Sequence, residues 1–184
     1  MKPIPNFDKI TADAPRERLK AGGYVIKITQ AEDKTASNYL RIVYDIAEGP
    51  EANRYNDEWG KEHDFAHAFV RAYRLDPKDE RERKINGMFK TFTNALEDSN
   101  PGYKWAWDEK TLPGKILGVV LGEEEYRTNR GDVNVRLYVS ACTSADKIRA
   151  GEYKVPALKA LKEDPAANMN PAPEVQFNED DLPF

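Results

Sequence analysis

The chain has 184 residues and a net charge of −4, and 40% of its residues are hydrophobic, which fits one folded domain with an appendage better than two domains. No apolar run approaches the roughly 18 residues that a membrane span needs, and the N-terminus has no apolar leader segment, so we expect a cytoplasmic protein with no membrane partner. The single cysteine, Cys142, excludes an internal disulfide framework and a cysteine-based zinc site, and we expect no cofactor.

Two strands, over residues 24–31 and 39–47, are predicted first, because apolar and polar residues alternate in both. The polar segment between them favours a hairpin. The residues expected to face the core are Tyr24, Ile26, Ile28, Leu40, Ile42, Tyr44 and Ile46. Tyr39 and Arg41 fall on the opposite face of the second strand.

The polar residues 48–64 predict a long loop with room for a short strand. Residues 65–74 favour a third strand, with Phe65, Phe69, Arg71 and Tyr73 on one face, although the alanines of this run leave a helix open as an alternative.

A helix over residues 79–98 follows, because apolar residues recur at intervals of three and four. Its apolar stripe consists of Ile85, Met88, Phe89, Phe92 and Leu96. Asn100, Pro101 and Gly102 end it, since proline cannot continue a helix.

The rest of the folded part is predicted to be mainly strand. Residues 115–121 are apolar on both faces, which is typical of a buried strand. A loop over 122–132 and an alternating strand over 133–140 come next, and Ser144 can cap a short helix that ends at Gly151.

The predicted order is β-β-β-α-β-β. This is the order of the five-stranded OB-fold barrel with a helix between strands 3 and 4, whose strand 2–3 face and loops L12 and L45 bind oligonucleotides. We therefore expect a mainly β protein with an OB-type barrel over residues 1–162.

Residues 163–184 form a predicted disordered acidic tail. They carry six acidic residues and no Lys or Arg, which leaves residues 1–162 with 28 basic and 26 acidic side chains and a net charge of +2. Their Pro-, Ala- and Asn-rich composition cannot bury enough apolar surface to offset chain entropy.

The last residues of the tail are Asp180, Asp181, Leu182, Pro183 and Phe184. A terminal ring and carboxylate preceded by acids are typical of a docking peptide for a basic, apolar pocket. This tip resembles that of bacterial single-stranded-DNA-binding proteins, which implies recruitment of replication and recombination proteins.

The body resembles phage-encoded proteins from Gram-positive hosts that are thought to bind single-stranded DNA. The resemblance rests on residues 21–25, 44–49, 99–105 and 121–126 and spans most of residues 1–160. It implies a role in phage DNA replication or recombination in the host cytoplasm. We expect no enzymatic activity, because no general acid/base pair stands out and the sequence has no phosphate-binding loop of the ATPase type. Related binders are often oligomers, so a homo-oligomer is possible.

Binding of single strands needs cations for phosphates and aromatic rings for unstacked bases. Aromatic residues and arginines stand together at several places in the chain. The candidates for DNA contact are Tyr39, Arg41, Phe69, Arg71, Tyr73, Arg74, Trp105, Trp107, Tyr126, Arg127, Arg130, Arg136 and Tyr138. We expect Tyr126, Arg127 and Arg130 to lie in the L45 loop.

Two other classes stay open from the sequence. One is an adaptor that binds no nucleic acid and docks replication proteins through its tail, and the other is a nuclease that requires magnesium. His63 and His67 are four residues apart and could share a metal on a helix, but no third ligand is evident, and His67 fits an ordinary structural role better.

Overall fold

A computed structural model describes residue 5 and residues 17–56, 58–63 and 67–161. The five strands are β1 (Gly22–Lys34), β2 (Tyr39–Ile46), β3 (Ala68–Ala72), β4 (Ile116–Arg127) and β5 (Val133–Thr143). The three α-helices of the described ranges are α1 (Glu58–Glu62), α2 (Glu80–Ser99) and α3 (Ala145–Arg149). Single turns of 3-10 helix cover Thr35–Ser37 and Glu109–Thr111. The main elements follow the predicted order, β-β-β-α-β-β.

The strands form one antiparallel sheet in the order β3-β2-β1-β4-β5. A bulge in β1 places the extra residue Thr29 between Ile28 and Gln30, and a second bulge places the extra residue Ser140 in β5, opposite the step from Val120 to Leu121 of β4. Each inserts a residue into the alternation and bends the strand. The bends therefore lie in the central strand β1 and in the edge strand β5.

The main core lies between the inner face of this sheet and α2. Fully buried residues of β1, β2 and β4, such as Ile26, Ile42 and Leu117, pack with Phe92 and Leu96 of the helix. The helix begins at Asp79, whose carboxylate accepts a hydrogen bond from Glu82 N at 2.8 Å. This cap satisfies one of the amides that a helix start leaves unpaired.

The two edge strands approach each other through their side chains. Arg71 of β3 donates from Nη2 to Sγ of Cys142 in β5 at 2.8 Å. Since β3 and β5 are at opposite ends of the strand order, this contact requires a strongly curled sheet.

A smaller core covers the outer face of β1 and β4. Val25 and Val120 pack there against Ala145 and Ile148 of α3. The segment after α3 continues across the same side, where Tyr153 lies against Gly23 and Pro156 against Gly122. This part of the outer face is closed to a ligand.

Several boundaries differ from the sequence prediction. Residues 122–127, predicted as loop, continue β4 because they pair with β5. The region 48–64 contains the helix α1 and turns instead of a short strand, as far as it is described. The third strand is confirmed as a strand, but spans only Ala68–Ala72. Met88, expected in the apolar stripe of α2, is 58% exposed.

The predicted tail, residues 163–184, and its tip lie outside the described residues, as do Phe65 and Ala66. Among the described helices, none combines the length and the apolar character required to cross a membrane.

Candidate nucleic-acid interface

Thirteen residues were predicted to contact DNA, and the fold divides them into four groups. Two lie on the outer face of β2, five on the β4–β5 hairpin, four around a pocket beside α2, and two in the core.

The strand face consists of Tyr39, Arg41 and Val70. Arg41 of β2 lies directly opposite Val70 of β3 and, on its other side, opposite Glu32 of β1. Val70 is 52% exposed, and Tyr39 and Arg41 are half-buried. Because directly opposite residues share a face of a sheet, an aromatic ring and a guanidinium lie together on the accessible side of β2.

The ribbon is the outer part of the β4–β5 hairpin, and it carries Tyr126, Arg127, Arg130, Arg136 and Tyr138. The Arg136 guanidinium lies over the Tyr126 ring, 5.2 Å from its centre. Arg127 donates to the carbonyl of Gly131 at 2.9 Å, and Arg130 is exposed in the turn. Tyr126 and Arg127 end β4, so of the three residues expected in the L45 loop only Arg130 lies in the turn itself.

Glu124 balances part of the positive charge of the ribbon. It accepts from Arg136 Nε at 2.8 Å and from Lys159 Nζ at 3.0 Å. The hydrogen bond from Lys159, with that from Arg136, holds the pKa of the Glu124 carboxyl below its ordinary value. Lys159 also lies over the Tyr138 ring, 5.5 Å from its centre, so one face of that ring is covered.

The backbone of Lys159 fixes its position beside β4. Its amide donates to Glu123 O at 2.9 Å, and its carbonyl accepts from Glu125 N at 3.0 Å. Lys159 thus extends the hydrogen bonding of β4 beyond the end of β1, a position that no local sequence pattern predicts.

The aromatic pocket lies beside α2 and contains about 360 Å³. Its aromatic walls are Tyr73, Phe89, Trp105 and Trp107. The Trp107 and Phe89 rings are parallel within 7°, with centres 6.1 Å apart, and Tyr73 meets Phe89 edge-on at 5.8 Å. Trp107 is 78% exposed, so the pocket opens at this ring.

Hydrogen bonds hold the walls of the pocket in place. Asn86 of α2 accepts from Arg74 N at 2.7 Å and donates to Arg74 O at 2.9 Å. Glu97 accepts from Trp105 N at 3.0 Å and from Lys104 Nζ at 2.8 Å. The bond from Lys104, with that from Trp105 N, holds the pKa of Glu97 below its ordinary value, so its negative charge is balanced locally.

Phe69 and Arg71 lie in the core and not on an accessible surface. Each is only 8% exposed. Phe69 contacts Tyr44 and Phe92, and the Arg71 guanidinium lies 4.7 Å from the centre of the Phe69 ring. Burial removes both from the set of residues that a DNA strand could reach in this fold.

Sequence reasoning did not single out Leu75 or Lys90, although both line the pocket. It assigned Phe89 only to the core. Helical spacing could have placed Lys90 beside Phe89 on α2, but only the packing of residues 103–107 shows that this part of the helix borders a pocket.

The described residues contain no group of three or more His, Cys, Asp or Glu side chains placed to hold a metal. His67 is buried, and its ring stacks on Tyr55 with centres 4.3 Å apart. No protein-family model matches the chain, and a search among curated proteins finds no match either.

Proposed function

We propose that this chain binds single-stranded DNA without sequence preference and protects it, and that its C-terminal tip recruits partner proteins. The observation that carries the proposal is the distribution of the predicted contact residues. All of them except Phe69 and Arg71 are at least partly exposed, although Tyr73 and Trp105 also pack against the core, and each accessible group combines aromatic rings with cations. Single-strand binding needs this combination.

We also propose that the curled sheet is an OB-type barrel. The strand order β3-β2-β1-β4-β5, the helix between β3 and β4, and the contact of Arg71 with Cys142 support it. In that fold the β2–β3 face and the β1–β2 and β4–β5 loops bind oligonucleotides. The strand face and the ribbon occupy these positions.

Recruitment by the tip rests on the sequence of residues 180–184 and its resemblance to the tips of bacterial single-stranded-DNA-binding proteins. Together with the resemblance of the body to phage proteins, it supports a role in phage DNA replication or recombination. The acidic tail could also compete with DNA for the basic body, since the two have opposite net charge.

The test is a titration with a thymidine 30-mer, followed by intrinsic tryptophan fluorescence and repeated at several salt concentrations. We expect binding that weakens as salt rises, because each phosphate contact releases counterions. A chain ending at residue 162 should bind more tightly at low salt if the tail competes. Absence of binding by both forms at low salt would favour the adaptor function, and magnesium-dependent cleavage of the oligomer would favour a nuclease.

A further inference from the structure

We propose that the aromatic pocket takes one unstacked nucleobase of the bound strand. This inference rests on the proposed function and extends it, because it assigns a base-binding site beside α2, away from the outer faces of the strands. The pocket is defined by Tyr73, Phe89, Trp105 and Trp107, with Leu75 at its edge.

The position of Trp107 is the first reason. Its backbone has a positive φ of 61°, a conformation that is uncommon for residues other than glycine, and its ring is 78% exposed. Leu75, which also lines the pocket, is 84% exposed. Large apolar groups left in water around a preformed cavity are a feature of ligand sites.

The flat walls and their polar surroundings indicate the class of ligand. A base that stacks on Trp107 is also parallel to Phe89, because the two rings are parallel within 7°. Arg74, which meets Glu82 at 3.8 Å, and Lys90 supply positive charge among the lining residues, and the side chain of Lys90 forms no hydrogen bond or ion pair within the described part of the chain. A planar ring attached to a phosphate matches both the parallel aromatic walls and the nearby positive charge.

The pocket is adjacent to a surface already assigned to DNA. Tyr73 N donates to Asn38 O at 3.0 Å, and the Tyr73 hydroxyl donates to Asp33 at 2.9 Å. Both partners belong to the β1–β2 hairpin, and Tyr39 of the strand face follows Asn38 directly. One wall of the pocket is therefore attached to the hairpin that carries the strand face.

The walls are fixed in advance, which lowers the ordering cost of binding. Asn86 holds Arg74 by two hydrogen bonds, and Glu97 holds the backbone of Trp105. A base would therefore enter a cavity whose walls are already supported by α2.

The experiment measures the affinity of the full chain for a labelled thymidine 15-mer and for a 15-mer of abasic sites, by fluorescence anisotropy at low salt. The variants are Trp107→Ala, Trp107→Phe and, as a matched control, Met88→Ala, which removes an exposed apolar side chain of α2 that does not line the pocket. We expect Trp107→Ala to weaken thymidine binding by about 5- to 150-fold, the range of a lost base–aromatic stack. Binding to the abasic strand should not change, and Trp107→Phe should recover most of the loss.

The outcomes separate the inference from the proposed function. If the wild-type chain does not bind the thymidine strand, both fail. If it binds and Trp107→Ala behaves like Met88→Ala, or weakens both strands equally, the pocket takes no base while single-strand binding stands. Tighter binding by Trp107→Ala would also overturn the inference.

Discussion

Arg71 and Arg41 together test which predicted contact residues belong to the core and which belong to the DNA interface. Arg71 of β3 lies opposite Leu40, and its neighbour Val70 lies opposite Arg41. The two arginines are therefore on opposite faces of the same strand pair. We predict that Arg71→Met leaves DNA binding unchanged and that Arg41→Met weakens it.

The expected effect on stability follows from the surroundings of Arg71. Its cation–π contact with Phe69 contributes about 2 kcal/mol when desolvated. Its hydrogen bond to Val70 O contributes about 1.5–3 kcal/mol, and the bond to Cys142 Sγ contributes less because a thiol sulfur is a weak acceptor. Burial of the guanidinium costs several kcal/mol, and no carboxylate within the described residues forms an ion pair with it. These terms nearly cancel, so Arg71→Met should change the free energy of unfolding by no more than about 1–2 kcal/mol.

Arg71→Ala should behave differently, because it also leaves a cavity among Phe69 and Cys142. We expect a loss of about 2–5 kcal/mol in the free energy of unfolding, measured by urea denaturation. A loss of that size for Arg71→Met as well would mean that the contacts of the buried guanidinium outweigh the cost of its burial.

The binding assay uses the same variants with a thymidine oligomer over a range of salt. Loss of one phosphate contact reduces the slope of log affinity against log salt by about 0.7 for single strands. Arg41→Met should show this reduction, and Arg71→Met should not. A reduced slope for a stably folded Arg71→Met would refute the assignment of Arg71 to the core in the DNA-bound state.

Three further predictions concern single side chains. Asp79→Ala should lower the free energy of unfolding by about 1 kcal/mol in urea denaturation, since it removes the cap of α2; no loss would show that the cap is dispensable. Glu97 has a folded-state pKa below its ordinary 4.5, so the stability that it contributes is complete above that pH and is lost as the pH falls through the lower folded value. Tryptophan fluorescence should report this loss in the wild type, and its persistence in Glu97→Gln would exclude Glu97 as the cause. Glu124→Gln should raise affinity for single-stranded DNA at low salt by up to about five-fold, because it releases Arg136 and Lys159; lower affinity in anisotropy titrations would contradict competition between Glu124 and the phosphates for these cations.

The strands could be predicted largely from the alternation of apolar and polar residues. The same alternation also predicted the face of the sheet on which Arg71 lies. It placed Arg71 on one face with Phe69 and Tyr73, and all three side chains face the inner side of the sheet. The interpretation of Arg71 as a DNA contact came from its residue type, since arginine is seldom buried without a partner. The alternation along the strand therefore predicted the position of Arg71 better than its residue type did.

The end of β4 could not be predicted, because local composition and tertiary pairing disagree there. Glu123, Glu124 and Glu125 favour a solvated turn, but β5 pairs with all three and Lys159 pairs with Glu124 from the other side. A partner 35 residues away in the sequence leaves no local signal. The aromatic pocket could not be predicted for the same reason, since the sequence of residues 103–107 does not indicate which aromatic ring faces α2.

Exposure, and not the presence of an ion pair, decides which cations remain available to a phosphate. Arg136 is paired with Glu124, but its side chain is 60% exposed, and an exposed pair contributes at most about 1 kcal/mol. A phosphate can therefore replace the carboxylate at little cost. Arg71 has no carboxylate partner in the described residues, yet a phosphate could reach it only by opening the core around Phe69. The accessible ribbon thus belongs to the proposed interface in spite of its ion pairs, and Arg71 does not.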